Sequence, residues 1–166
     1  MKEKKHPANE TYHSFPIGYV RANENEFSLQ ILEQYRAGLK QLDQFSHVLV
    51  LWWAQEHDNE RSRSVLQTEP PYAREKVTGV FACRSEYRPN PVAVSVCSCL
   101  EVSEANGTVK VAYIDAWDGT PIIDLKAYFP VSDRVRDVRV PEWITNWPEW
   151  LEEAYKLESI FESFDK

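Results

Sequence analysis

The chain is short of cysteine, of long apolar runs and of positive charge. Its 166 residues include three cysteines, Cys83, Cys97 and Cys99, an odd number without the paired C-x-x-C spacing that zinc or redox chemistry uses. Cys97 and Cys99 are two apart, so on a strand both face one side, as small core thiols do. Of the four histidines only His47 stands in apolar surroundings; no ligand set accompanies it, so no metal is expected. The longest apolar run, Val48 to Ala54, falls far below membrane-spanning length. The charged start MKEKKHPANE leads into no apolar stretch of the kind a secretion signal needs. These absences predict a cytoplasmic protein with no membrane segment. No G-x-G-x-x-G follows a strand, which disfavours a Rossmann cofactor domain.

A net charge of −7 counts against a grip on polyphosphate over the whole surface. A local patch stays open: KAYFPVSDRVRDVR holds Lys126, Arg134, Arg136 and Arg139, and reads equally well as a solvated edge strand of mixed charge.

What is present is globular: 43% hydrophobic, 13% aromatic, six tryptophans, in a length that suits one domain. Strand signals dominate, in FPIGYV, EFSLQIL, FSHVLVLWWA, VTGVFAC, PVAVSVCSCLEV, TVKVAYIDAW and GTPIIDLKAYF. The apolar run at 45–54 predicts a central buried strand. Ile31, Leu32, Tyr35, Leu39 and Leu42 recur at helical spacing, and the polar segment 55–76 reads as a long loop. Pro148 suits a first helical turn, and Trp150, Leu151, Ala154, Leu157, Phe161 and Phe164 mark a stripe on a C-terminal helix. Many short strands with few helices predict a mainly β fold, a small barrel or strongly bent sheet. The organisation expected is a polar tail over 1–14, a barrel domain over 15–140 and a tryptophan-rich helical segment over 141–166.

Two stretches carry candidate chemistry. In CRSEYRPNPVAVS, residues 83–95, Arg88 and Asn90 each precede a proline and are pushed toward extended backbone. Pro89 and Pro91 lack N–H donors, so side chains supply the polar vocabulary: Arg84 and Arg88 as planar forks for carboxylate or phosphate, Asn90 as donor and acceptor. In IDAWDGTPIIDLKAY, residues 114–128, Asp115, Asp118 and Asp124 crowd an apolar strand pair. Asp-Gly is an ordinary turn signal, yet the three carboxylates call for cations opposite, and Arg84, Arg88 and Lys126 are the natural complement. Apolar walls with a few convergent polar groups form a small-ligand pocket.

At these residues the chain resembles the TsaA-like, TrmO-type methyltransferase family. IGYV, GLKQLDQFSHVLVLWW, EPP, GVFACRSEYRPNPVAVS and DAWDGTPIIDLKAY occur in the family's order, from about Phe15 to Asp133. The signatures R-S-x-x-R-P-N-P and D-G-T-P-x-x-D-L-K, in that order, are highly specific. The resemblance implies a small TsaA-like β-barrel, usually a homodimer, that binds S-adenosylmethionine without a Rossmann sheet. It implies methylation of the N6 atom of threonylcarbamoyladenosine beside the tRNA anticodon. By motif position Arg84, Ser85, Arg88, Asn90, Asp118, Thr120, Asp124 and Lys126 become the cofactor-binding region, with Asp118 or Asp124 as the base. The chain departs from the family where IGYVRANENEFSLQ omits a longer loop, where Glu86 and Tyr87 replace a small or proline-containing insert, and where the tryptophan-rich segment stands in place of an RNA-handling extension. These departures keep two alternatives open: a small-molecule methyl acceptor, or a non-catalytic cofactor-binding dimeric module.

Overall fold

Alternation decides the architecture. In β3 (His47–Trp53), Val48, Val50 and Trp52 are buried while Leu49, Leu51 and Trp53 are only half-buried, so the strand lines an interior with one face. The sequence predicted a strand buried on both faces, because its outer face is apolar as well. In the computed structural model, which describes residues 11–24, 26–73 and 75–157, this strand belongs to a closed barrel. The strands in chain order are β1 (Gly18–Ala22), β2 (Phe27–Ile31), β3, β4 (Gln67–Thr68), β5 (Thr78–Gly79), β6 (Val92–Ser103), β7 (Thr108–Val111) and β8 (Pro121–Ala127). Six of them close the barrel in the order β1-β2-β7-β6-β3-β8, every pairing antiparallel; β4 and β5 form a separate pair. The mainly β expectation holds.

The interior is a plug of aliphatic side chains, among them Val20, Leu29, Val48, Val50, Val109 and Ile122, none with measurable exposure. Cys97 joins this core. Burial, then the neighbouring Cys99, pushes its thiol up to about 12. Gly107 closes the β6–β7 hairpin at φ +69, where a Cβ would run into the Ile31 carbonyl and the Arg36 side chain.

Contacts divide the described chain into two units: residues up to Gln55 with Val92–Tyr128, which hold the barrel, and Glu56–Pro91 with the segment from Phe129 onward. The helix expected over 31–42 is two short 3₁₀ turns, Glu33–Leu39 and Leu42–Gln44. Pairing with Gly18 claims Ile31 for β2, and Gln41 breaks the run at φ 66. Of the expected stripe beyond Ile31, only Leu39 and Leu42 are buried, one in each turn.

In the second unit the segment expected as a loop is partly ordered into α1 (Glu60–Arg63), whose N-cap Asn59 accepts from the Ser62 N–H. VTGVFAC is strand only at β5 and then turns through a 3₁₀ segment, Val80–Ala82. Past α2 (Pro130–Asp133), Tyr72 stacks on Trp143 at 5.7 Å and meets Trp147 edge-on at 5.2 Å. Of the expected C-terminal helix, the described residues show a 3₁₀ turn over Leu151–Lys156, with Leu151 and Ala154 exposed, followed by a helical Leu157. Phe161 and Phe164 lie outside the described residues. Among the described residues no helix is long and apolar enough to cross a membrane, and no group of three or more His, Cys, Asp or Glu is placed to hold a metal.

Candidate functional site

The proline corner is built around Arg88. Its Nε donates to the Ser85 carbonyl at 2.7 Å, and its Nη2 donates to the carbonyls of Val80 at 2.6 Å and Cys83 at 2.8 Å. The guanidinium is thus an internal strut that satisfies a loop with no ladder of its own. With both Nη2 hydrogens and the Nε hydrogen used, Arg88 has no free two-pronged fork for a carboxylate; only Nη1 is left to donate. Ser85 Oγ accepts from the Tyr87 N–H at 3.2 Å. Arg63 braces the same corner, with Nη1 donating to the Pro89 carbonyl at 3.0 Å and Nε paired with Asp58 at 2.6 Å. Tyr87 leans on the His57 ring, centroids 4.5 Å apart. Arg84 and Asn90 are exposed.

The aspartate turn belongs to the barrel. Asp118 Oδ1 accepts from the Ala22 N–H at 3.1 Å, and the Gly119 N–H donates to the Val20 carbonyl at 2.9 Å. Gly119 sits at φ +79, a left-handed position that favours glycine. Thr120 is buried; its carbonyl accepts from the Val20 N–H at 2.9 Å and its N–H donates to the Trp117 carbonyl at 3.1 Å.

Beyond the turn, β8 carries a bulge. Trp52 pairs with Ile122, whereas Leu51 pairs with Asp124, so Ile123 is one residue too many. The slip changes which parity faces in. Ile122 packs inside before it and Leu125 and Ala127 pack against the core after it, which turns Asp124 and Lys126 to the outer face. There Lys126 Nζ pairs with Asp124 Oδ2 at 2.6 Å, while Asp124 Oδ1 accepts from the Leu125 N–H at 2.9 Å. The hydrogen bond to Asp124, then its charge, raises the Lys126 pKa.

The eight residues expected from the motifs therefore fall into two sets. Asp118, Thr120, Asp124 and Lys126 share one end and one strand of the barrel; Arg84, Ser85, Arg88 and Asn90 share the corner of the second unit. The motif reading missed a third feature, an open cleft of about 460 Å³ lined within the barrel unit by Asn23, Phe27, Tyr113, Asp115, Trp117 and Asp118. Phe27 meets Tyr113 edge-on at 5.3 Å. Asp115 and Trp117 lie inside a quoted motif, but Asn23 and Phe27 come from the opposite end of the sequence, and only barrel closure puts them there. The three arginines at 134, 136 and 139 are all exposed, with the Arg134 guanidinium 4.6 Å from the centre of the Trp150 ring.

Comparison with known proteins covers most of this chain. A protein named "S-adenosyl-L-methionine-binding protein" from Archaeoglobus fulgidus is 37% identical over 137 residues, which span 74% of this chain and 94% of that one. A "Probable S-adenosyl-L-methionine-binding protein" from Pyrococcus abyssi is 32% identical over 144 residues, 86% of this chain and 70% of that one. The crystal structure of TrmO from Pseudomonas aeruginosa superposes with a TM-score of 0.62 at 28% identity, over 81% of this chain. The match takes in 62% of that solved chain, under two thirds of its length. The family model for the tRNA-methyltransferase O N-terminal domain matches residues 6–134. With its barrel, its two signatures and that match over most of its length, the chain belongs to the TrmO_N family.

Proposed function

We propose that this protein is an S-adenosylmethionine-dependent methyltransferase whose acceptor is a nitrogen of a modified adenosine in tRNA, the N6 of threonylcarbamoyladenosine. The observation that carries the reading is the presence of both signatures, at 84–91 and 118–126, inside the 6–134 span of a family whose relatives are named for S-adenosylmethionine. The chemistry of the donor set fits that cofactor. On the barrel unit, Asp124 and Lys126 stand outward to meet an ammonium, ribose hydroxyls or ring nitrogens, and among the described residues the barrel-unit cleft has aromatic walls and carboxylates without a cation to repel a sulfonium.

S-adenosylmethionine supplies an electrophilic methyl group when bound. The residues' share is to position the acceptor, exclude water and take a proton, because a urea-like nitrogen is a poor nucleophile until its N–H is lost. Two carboxylates compete for that role. Both oxygens of Asp124 already accept, from the Leu125 N–H and Lys126; Asp118 has one oxygen engaged by Ala22. We assign the base to Asp118 and a cofactor-holding role to Asp124 with Lys126. The active form is a homodimer in this reading; the exposed Val131, Val135 and Val138 are apolar surface that a second copy would cover.

Calorimetry with S-adenosylmethionine, followed by transfer of labelled methyl to bulk tRNA prepared without the methylation, tests the assignment. Binding and tRNA labelling support it. Absence of binding sinks the cofactor reading, and binding with label only in a small-metabolite fraction moves the acceptor to a small molecule.

A further inference from the structure

The R-P-N-P corner of the second unit is stiff everywhere but at one joint. Proline fixes φ at Pro89 and Pro91, and a residue that precedes proline is held in extended backbone, which restricts ψ at Arg88 and Asn90. The torsions left soft are ψ of Pro89 and φ of Asn90. They flank the single peptide plane between these two residues, and a turn at either one swings the Asn90 side chain relative to Arg88. The carbonyl of that plane is the one that Arg63 holds. Its Nη1 donates to the Pro89 oxygen at 3.0 Å while its Nε pairs with Asp58 at 2.6 Å.

Arg63 is itself well seated. It closes α1, where the N-cap Asn59 accepts from the Ser62 N–H at 2.9 Å and Ser62 is buried. Six residues earlier, His57 lies against Tyr87 with ring centroids 4.5 Å apart. The stretch 57–63 therefore grips the corner on either side of Arg88, at Tyr87 and at Pro89. All of these residues belong to the second unit.

We infer that Arg63 is a positioning residue for cofactor binding: it pins the Pro89–Asn90 peptide and so aims the Asn90 amide at the ligand, with Asp58 aiming Arg63 in turn. The inference rests on the S-adenosylmethionine reading above and adds to it residues that lie outside both signatures. Asn90 is exposed, and its amide can donate and accept at once. With the joint pinned, the ordering of that amide is complete before the ligand arrives. With the joint loose, only a fraction of molecules present the amide correctly, and the apparent affinity falls by that fraction.

Calorimetry of S-adenosylmethionine binding to the full chain tests this through a double-mutant cycle. Arg63→Ala is expected to weaken binding about tenfold, as a competent fraction of about one tenth gives. Arg63→Lys is expected to recover little, because an ammonium lacks the fixed fork that spans Asp58 and the Pro89 carbonyl together. With Asn90→Ala in place, Arg63→Ala is expected to cost nothing further, since its effect runs through Asn90. Asp58→Ala likewise costs nothing further once Arg63 is alanine. An arginine that only stabilises the fold would give another pattern: the same loss of affinity with and without Asn90, in step with the fall in the urea midpoint. That additive result would overturn the inference, and so would an Arg63→Ala chain that binds as the parent does. If Asn90→Ala binds too weakly to titrate, Asn90→Ser, which keeps a hydroxyl, takes its place in the cycle. Failure of the underlying reading shows separately, as no S-adenosylmethionine binding to the parent chain. Circular dichroism checks that each variant is folded.

Discussion

Asp118 Oδ1 accepts a hydrogen bond from the main-chain N–H of Ala22, a residue 96 positions earlier, at 3.1 Å. One oxygen of the carboxylate therefore ties the end of β1 to the turn that launches β8, while the other is open to chemistry. Structural and chemical roles are separable by substitution. Asp118→Asn keeps an acceptor oxygen and is expected to retain the folded stability while losing methyl transfer. Asp118→Ala is expected to lose transfer and about 1 kcal/mol of stability as well. Urea unfolding beside a single-turnover assay reads both; equal transfer rates for Asp118→Asn and the parent chain would remove Asp118 as the base.

Arg88 answers to a different measurement. A half-buried guanidinium that satisfies three carbonyls is expected to cost about 3 kcal/mol when replaced by alanine, seen as a fall in the urea midpoint. Arg88→Lys should recover only part of this, because an ammonium cannot span carbonyls that lie along two edges of a planar fork. A loss of cofactor binding in Arg88→Ala is then partly a loss of the corner itself.

Cys97 gives a pH dependence whose sign follows from its environment. Its thiol is raised from 9.0 to about 12 in the fold, so the folded state holds that proton more tightly than the unfolded chain does. The stabilising contribution is complete below about pH 9 and is lost as the pH climbs toward 12. Thermal unfolding between these limits should show a falling midpoint that Cys97→Ala flattens. Mass spectrometry after native alkylation near neutral pH should find Cys97 unmodified, and modified once urea is added.

Arginines 134, 136 and 139 bear on the RNA acceptor. Reversing all three is expected to weaken tRNA binding and to reduce the slope of log affinity against log salt by roughly 2 to 3. An unchanged slope would place the phosphate contacts elsewhere. Arg134 already lies over the Trp150 ring, so its single reversal should also alter tryptophan fluorescence.

The sequence made the barrel strands legible wherever alternation or β-branching was strong, as in His47–Trp53 and Val92–Ser103. It misjudged 31–42 because five apolar residues at helical spacing say nothing of the strand that takes the first of them or of the left-handed Gln41. The signature residues were legible by type. Their use was not: Arg88 turns inward to carbonyls that any sequence possesses, and Ile122-Ile123 reads as one apolar pair although the register slips between them. The cleft was least legible, since Phe27 meets Tyr113 only through the pairing of β2 with β7.

That slip in β8 makes the strand's length a determinant of its chemistry. Deleting Ile123 would leave Leu51 opposite Asp124 and keep Asp124 and Lys126 outward, whereas a ladder that kept Ile123 and lost the bulge would rotate both toward the aliphatic plug, where ions find neither water nor room. The bulge that takes up the surplus residue, and not the strand's regularity, is what leaves these two ions in solvent.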